Sequence, residues 1–272
     1  MKKDICSFTD ACDGFLVCGL RRFNRKERVF MQPQNHFYQT LLHRHSQDES
    51  DIVEHCLLCF QNVHKQEDIF HYVKRSSFLC GACRKQLEPL CKSTKLDSLQ
   101  LSMLYRYNDF LENMIFQFKE GRDIALRPVF FHEVMQELND KFRQYAIVLM
   151  PSSKEKMLER GFLPVREMLK ACKLEIIEPF YKTSNHKQSL QNMQNRALIS
   201  QVIQRRSDVS LPQKPLLLVD DVCTSGSTIL CAYRKLLPHT YKIEALVLAA
   251  HPLFVESCDE KGLLKRMRFS IL

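Results

Sequence analysis

From residue 99 to residue 252, short apolar runs alternate with segments whose apolar residues recur every third or fourth position. Residues 101–107 read as a strand. Leu111, Met114, Ile115 and Phe118 then fall at i, i+3, i+4 and i+7, one stripe of a helix. Phe131, Val134, Met135, Leu138 and Phe142 make a second helical stripe, and residues 145–150 make a short buried strand that stops at Pro151. Residues 156–172 read as a helix interrupted near Gly161 and Pro164, because proline lacks the N–H that a helix interior needs. A strand over 174–181, a helix beginning near Gln191, a strand over 216–219, a helix over 227–237 and a strand over 243–249 complete the pattern. Strands alternating with helices predict βαβ units and a parallel sheet, an α/β domain over residues 99–251. Ligands of such sheets bind at the carboxyl ends of the strands.

One of those strand ends carries distinctive chemistry. Residues 215–228 run Pro-Leu-Leu-Leu-Val-Asp-Asp-Val-Cys-Thr-Ser-Gly-Ser-Thr. An apolar strand meets the adjacent carboxylates Asp220 and Asp221, and the hydroxyl-rich turn Thr224, Ser225, Gly226, Ser227 and Thr228 opens the next helix. The first N–H groups of a helix have no internal partner and the dipole there favours anions, so this turn suits a phosphate. Hydroxyls add donors, and Gly226 lets the backbone come close. The two carboxylates can accept hydrogen bonds from two sugar hydroxyls. An N-cap alone needs one hydroxyl and no acidic pair.

Two flanking regions differ from this core. Residues 56–91 hold Cys56-Leu-Leu-Cys59 and Cys80-Gly-Ala-Cys83, two knuckles at the spacing of a tetrahedral four-thiolate zinc site, with Gly81 expected to relieve the second bend. Such a site is closed and therefore structural; His64 and His71 between the knuckles are spare candidates. Residues 1–55 show no sustained period and read as an extension; the alternative is a second metal site from Cys6, Cys12, Cys18 and His36. Residues 252–272 form a tail that is basic near Lys265, Arg266 and Arg268 and has no assigned element.

Charge and composition narrow the class. The 272 residues carry a formal net charge of +9. Residues 1–55 contain 8 basic and 8 acidic groups, so the excess lies wholly in the remainder, with 32 basic and 23 acidic. A basic domain attracts phosphorylated partners, whether a small pyrophosphate or a nucleic acid. No apolar run approaches the roughly 18 residues of a membrane span, so no membrane insertion is expected. Lys2 and Lys3 precede Asp4, Asp10 and Asp13 rather than an apolar stretch, so no signal peptide is expected and the expected compartment is cytoplasmic. Twelve cysteines in a reducing compartment favour metal binding over disulfides.

Three further segments join the doublet. Pro151-Ser152-Ser153-Lys154 ends a strand with hydroxyls and a cation, suited to pyrophosphate, and Glu159-Arg160-Gly161-Phe162 follows. Residues 184–190, with Arg196 beyond them, are polar and basic enough to close over an anion. Tyr105-Arg106-Tyr107-Asn108 precedes Phe118-Lys119-Glu120-Gly121-Arg122.

Residues 215–228 resemble the phosphoribosyl-pyrophosphate (PRPP) loop of type I phosphoribosyltransferases. That resemblance implies that Asp220 and Asp221 hold the ribose hydroxyls, Thr224 to Thr228 hold the 5-phosphate, and Mg²⁺ accompanies the pyrophosphate. The order of motifs resembles the ComF/ComFC family over residues 56–251: paired knuckles, Tyr-x-Tyr, Phe-Lys-x-Gly, Arg-Gly-Phe, a Gln-Ser-Leu loop followed by Arg, then the acidic turn. It implies a type I phosphoribosyltransferase-like domain behind a four-cysteine zinc-ribbon module. It also implies a role in DNA uptake during natural transformation, beside a helicase-like translocase. The chain departs from that family at Leu163-Pro164, where Asn-Gln is usual, and residues 1–55 precede the family's usual start.

Two readings of function stay open. In one, the chain uses PRPP and displaces pyrophosphate from ribose C1, with Ser153 and Lys154 on the pyrophosphate and an acceptor that the residues do not name. In the other, the fold serves a single-stranded DNA- or translocase-binding module, with Lys74, Arg75, Arg84 and Lys85 interleaved by Phe70, Tyr72 and Phe78.

Overall fold

Seven strands form one sheet in the order β4-β3-β7-β8-β2-β1-β9, seen in a computed structural model that describes residues 54–63, 78–183, 203–240 and 242–267. All of these belong to the compact unit Asn35–Leu272. The strands are β1 (Pro89–Leu96), β2 (Leu99–Arg106), β3 (Ala146–Leu149), β4 (Ile176–Ile177), β7 (Leu216–Cys223), β8 (Ile243–Ala250) and β9 (Lys265–Arg266). Pairing is parallel from β4 through β3, β7 and β8 to β2, and antiparallel from β2 to β1 and β1 to β9. A separate antiparallel hairpin joins β5 (Phe180–Lys182) to β6 (Ile203–Arg205). The expected α/β parallel sheet is present.

The helices follow from their stripes. Helix α2 (Asp109–Lys119) buries Leu111, Met114, Ile115 and Phe118, and Asn108 caps it by accepting from the Leu111 N–H at 2.9 Å. Helix α3 (Arg127–Lys141), reached through a 3₁₀ turn at Ile124–Leu126, buries Phe131, Val134, Met135 and Leu138. The interruption predicted near Gly161 is real. Helix α4 (Lys154–Arg160) ends on Gly161 at φ +81°, and α5 (Pro164–Met168) starts with Pro164. Helix α6 (Ser227–Leu236) follows β7. Helix α1 (Gly81–Arg84) is a single turn in the second knuckle.

Leu216, Leu217, Leu218 and Val219 are all buried, as a strand covered on both faces requires. Leu217 and Val219 pack with α2 and α3, whereas Leu216 and Leu218 pack with α6 and the hairpin. The sheet is thus sandwiched between two helical layers.

Three differences from the sequence pattern have physical reasons. The single strand expected over 174–181 is split by buried Pro179 into β4 and β5, which serve different sheets. The tail contributes α7 (Pro252–Glu260), which buries Phe254, Val255 and Cys258, and the edge strand β9. β9 is an exposed Lys-Arg pair, so it carries no apolar signature. Residues 89–96, which run from the last residues of the expected module into the stretch before the expected domain, extend the sheet as β1. The possible site at Cys6, Cys12, Cys18 and His36, the histidines 64 and 71, residues 184–190 with Arg196, and all but the last two residues of the expected helix over 191–204 lie outside the described residues; Ile203 and Gln204 belong to β6. Among the described residues no helix is long and apolar enough to cross a membrane.

Candidate functional site

Strand order reverses between β3 and β7. The connection after β3 leads outward to β4, whereas that after β7 leads the other way to β8. A crevice opens at the carboxyl ends where neighbouring strands diverge in this manner. The Met150 N–H donates to the Val219 carbonyl at 3.1 Å, so the Pro151–Lys154 turn leaves β3 level with Asp220. The strand expected to stop at residue 219 runs on to Cys223, because β8 continues to pair with it past the end of β3, so the doublet lies within β7. The β3 turn and the acidic doublet are therefore brought to one edge of the sheet.

Asp220 continues the alternation of Leu216 and Leu218, and Asp221 that of Leu217 and Val219. Consecutive strand residues face opposite layers, and the neighbours differ accordingly. Asp221 forms an ion pair with the Lys119 ammonium at the end of α2; the two side chains are 15% and 17% exposed. Asp220 accepts from the Asp221 N–H at 2.9 Å, and its charged neighbours are Asp221, Lys119 and Lys182 of β5. Burial, then repulsion from Asp221, pushes the Asp220 carboxyl up to about 7, against the pull of the Asp221 N–H, Lys119 and Lys182. Tyr107 also stands near Asp221; burial, then Glu112 and Asp221, raises its phenol.

The turn after β7 is built around Gly226, at φ +72° in the left-handed region. A Cβ there would lie 2.7 Å from Leu96 Cδ1, with Phe254 just beyond. Gly226 is thus required by the fold itself, as well as by any close approach of a ligand. Ser225 and Ser227 share a hydroxyl–hydroxyl hydrogen bond of 3.0 Å, while Thr224 and Ser225 are exposed and Ser227 and Thr228 half-buried. The first turn of α6 carries no acidic residue that would oppose an anion, and the Ser225 hydroxyl accepts from the Ser227 N–H at 3.4 Å. In the β3 turn, Ser153 caps α4 by accepting from the Lys156 N–H at 3.3 Å, and Lys154 is exposed.

The Phe-Lys-x-Gly and Arg-Gly-Phe segments pack on each other. Phe118 and Phe162 meet at 5.2 Å between ring centres. The Arg160 guanidinium, its side chain 6% exposed, donates to Glu120 at 2.5 Å, and Lys156 adds a second cation at 3.7 Å. Burial raises the Glu120 carboxyl, yet Arg160, Lys156 and Lys119 together leave it below its ordinary range. These motifs hold Lys119 in place beside Asp221. The sequence singled out the segment containing Lys119 and, separately, Asp221, but not their pairing, and it gave no signal for Lys182.

The four knuckle cysteines converge. The sulfurs of Cys56, Cys59, Cys80 and Cys83 all lie within 4.8 Å of one another. Cys56, Cys80 and Cys83 are buried and Cys59 is exposed. The Leu57 N–H donates to the Phe78 carbonyl at 2.9 Å and zips the knuckles together. Phe60 takes φ +60° to close the first bend. Gly81 is absent from the positive-φ residues and has open space around its Cβ position, so the expectation that it relieves the second bend is not met. Four thiolates with no open position fit zinc held as a structural ion. The module is seated on α3, where Phe78 stacks edge-on against His132 at 4.6 Å and Arg84 pairs with Glu133 at 3.2 Å.

Comparison with known proteins gives two curated relatives. The competence protein ComFC of Streptococcus pneumoniae (strain ATCC BAA-255 / R6) is 27% identical over 198 residues, which is 64% of this chain and 89% of that protein. ComFC of Bacillus subtilis (strain 168) is 25% identical over 214 residues, 67% of this chain and 88% of that protein. The resemblance to the ComF/ComFC family is borne out. No protein-family model matches the chain. Among solved structures, a Saccharomyces cerevisiae adenine phosphoribosyltransferase aligns at 12% identity over 70% of this chain and 96% of its own, with a TM-score of 0.37. A Bacillus anthracis hypoxanthine-guanine phosphoribosyltransferase aligns at 14% identity over 55% of this chain and 74% of its own, with a TM-score of 0.32.

Proposed function

We propose that the chain binds PRPP, or a closely related ribose 5-phosphate, at the end of β7 and that it serves DNA uptake as a ComFC-like protein in the cytoplasm. The observation that carries this reading is one strand end holding a half-buried acidic doublet, a left-handed glycine turn and a helix N-terminus free of acids. The 5-phosphate accepts from the first N–H groups of α6 and from the hydroxyls of Thr224, Ser225, Ser227 and Thr228. The ribose lies across the end of β7, where its hydroxyls reach Asp220 and Asp221 from the two sides of the strand. Pyrophosphate extends toward Lys154 on the neighbouring strand end; Ser153 is engaged as a helix cap and contributes through its N–H side of the turn. Hard oxygen donors at an open strand end fit Mg²⁺, held chiefly through the ligand's oxygens with Asp220 and Asp221 as its nearest carboxylates, where it would neutralise the pyrophosphate. Positioning and electrostatics are what these residues offer to chemistry at ribose C1.

The second reading, a single-stranded DNA or translocase contact through the knuckle module, draws on the ComFC relatives. Of its proposed cations, Arg84 is tied to Glu133, while Lys74 and Arg75, with the aromatics Phe70 and Tyr72, lie outside the described residues. The deciding experiment is calorimetric titration with PRPP and Mg²⁺, comparing the wild type with the double variant Asp220→Asn/Asp221→Asn. Saturable heat in the wild type and at least a tenfold loss in the variant are expected. Equal heats, or none in either, would sink the ribose-phosphate reading. Retention of single-stranded DNA that weakens steeply with salt would support the second reading.

A further inference from the structure

The turn after β3, helix α5 and the β5–β6 hairpin enclose a cavity of about 510 Å³, within the size range of small-molecule sites. Its wall includes Leu149, Met150, Met157, Leu163 and the buried ring of Phe180. Its rim carries Lys154, Lys182, Arg205 and Arg206. Arg166 and Glu178 also line it, but they form an ion pair with each other, which leaves Asp208 as the remaining acid. Lys154 and Arg206 are exposed and form no ion pair with any described residue. Arg205 is anchored by one donation to the Val209 carbonyl at 3.4 Å, yet its Nε is buried with no hydrogen-bond partner. A guanidinium recognises carboxylate or phosphate through paired N–H groups, and that of exposed Arg206 is in no ion pair with a described residue.

We propose that this cavity binds a small organic anion, an apolar ring bearing one carboxylate or phosphate, with the ring against the Leu163–Phe180 wall and the anionic group on the Arg205–Arg206 rim. An inorganic anion alone would leave the apolar wall facing water, and a neutral ring would leave the rim cations unpaired. No residue of the hydroxyl-rich turn of α6 lines the cavity, but it shares Lys154 with the pyrophosphate position proposed above and adjoins the doublet through Lys182, which lines the cavity and also acts on Asp220. The hairpin that forms one side is held by the Arg206 N–H donating to the Pro179 carbonyl at 2.7 Å, so the rim is fixed relative to the wall.

The test uses the full chain and four probes: benzoate, phenyl phosphate, neutral benzamide and inorganic pyrophosphate. Benzoate or phenyl phosphate should bind at least tenfold more tightly than benzamide, and whichever binds better reports the preferred anionic group. Arg206→Gln, at an exposed side chain, should weaken that binding at least tenfold. Leu163→Phe, which fills the cavity from its apolar side, should abolish it. Both variants should keep their wild-type thermal midpoint and their response to PRPP. Aryl anions binding no better than benzamide would overturn the proposal, as would binding that survives both variants. Pyrophosphate binding as tightly as the aryl anions, with the same loss in Arg206→Gln, would also overturn it, because the wall would then play no part. Loss of PRPP binding alone would sink the ribose-phosphate reading and leave this one standing.

Discussion

Lys119 at the end of α2 and Asp221 in β7 form an ion pair that ties the first helix of the sheet domain to the acidic doublet. Both side chains are largely buried, so each needs the other. Removing one partner of such a pair strands the second charge away from water. Lys119→Met should therefore destabilise the fold by about 1–3 kcal/mol, read as a lower denaturant midpoint. Lys119→Met/Asp221→Asn should cost less than the sum of the single variants, because the stranded charge is gone. Strict additivity in that cycle would show that the pair is not coupled.

Asp220 gives the chain a pH-dependent stability. Its carboxyl is raised to about 7 in the fold, first by burial and then by Asp221, from an ordinary value of 3.8. The folded state therefore holds a proton that the unfolded chain releases. This contribution is fully present below about 4, and it is lost as pH rises through 7. Asp220→Asn should flatten the stability profile between those limits. With solvent screening at a partly open site, it should make the protein more stable at pH 8 by roughly 1–3 kcal/mol. Chemical denaturation across pH 4 to 8 without divalent ions measures this. An unchanged slope in the variant would refute the assignment to Asp220.

The same carboxyl links binding to protons. If the ribose hydroxyls donate to Asp220, binding needs its ionised form. Affinity for PRPP should then fall as pH drops below 7, with proton release on binding near pH 6.5. Titrations in buffers of different ionisation heat would detect that proton. Pure proton uptake, or none, would place the ligand elsewhere.

Much of this architecture is legible in the chain because burial leaves a periodic trace. Leu111, Met114, Ile115 and Phe118 announce α2, and the run Leu216–Val219 announces a strand covered on both faces. The doublet, the glycine turn and the cysteine knuckles are local, so their residue order carries their chemistry. What remained hidden depends on long-range placement or on polar residues. Lys182 reaches Asp220 only because the hairpin folds back, and Lys119 reaches Asp221 only because α2 packs across β7. β9 pairs through exposed Lys265 and Arg266, whose side chains record nothing of the edge they cover. Gly81 misled because a knuckle glycine suggests a strained bend, whereas the strain falls on Phe60.

Arg160 should be as demanding as its burial suggests. Its guanidinium meets Glu120, and the Phe118 and Phe162 rings of the same two segments meet at 5.2 Å. Arg160→Met should cost roughly 2–4 kcal/mol, and Arg160→Lys should recover little, since an ammonium differs from the guanidinium in shape, reach and ease of desolvation. Thermal midpoints of the two variants measure this; a lysine variant as stable as the wild type would show that charge alone suffices.

Gly226 tests whether the turn is set by the fold or by its ligand. At φ +72°, any residue with a Cβ incurs roughly 1–2 kcal/mol of backbone strain. At this position the Cβ would also press on Leu96 Cδ1 at 2.7 Å. Cδ1 is the tip of a half-buried side chain, so Leu96 can relieve part of this pressure by rotating. Gly226→Ala should therefore lower stability by about 2–3 kcal/mol even without ligand. If the loss reflected only a ligand contact, the ligand-free variant would melt at the wild-type temperature. Leu96→Ala combined with Gly226→Ala separates the two costs. The double variant removes the clash but not the backbone strain, so it should regain part of the lost stability once the cost of Leu96→Ala alone is subtracted. No recovery would mean that the left-handed backbone, rather than the Leu96 wedge, explains why glycine stands at the mouth of this site.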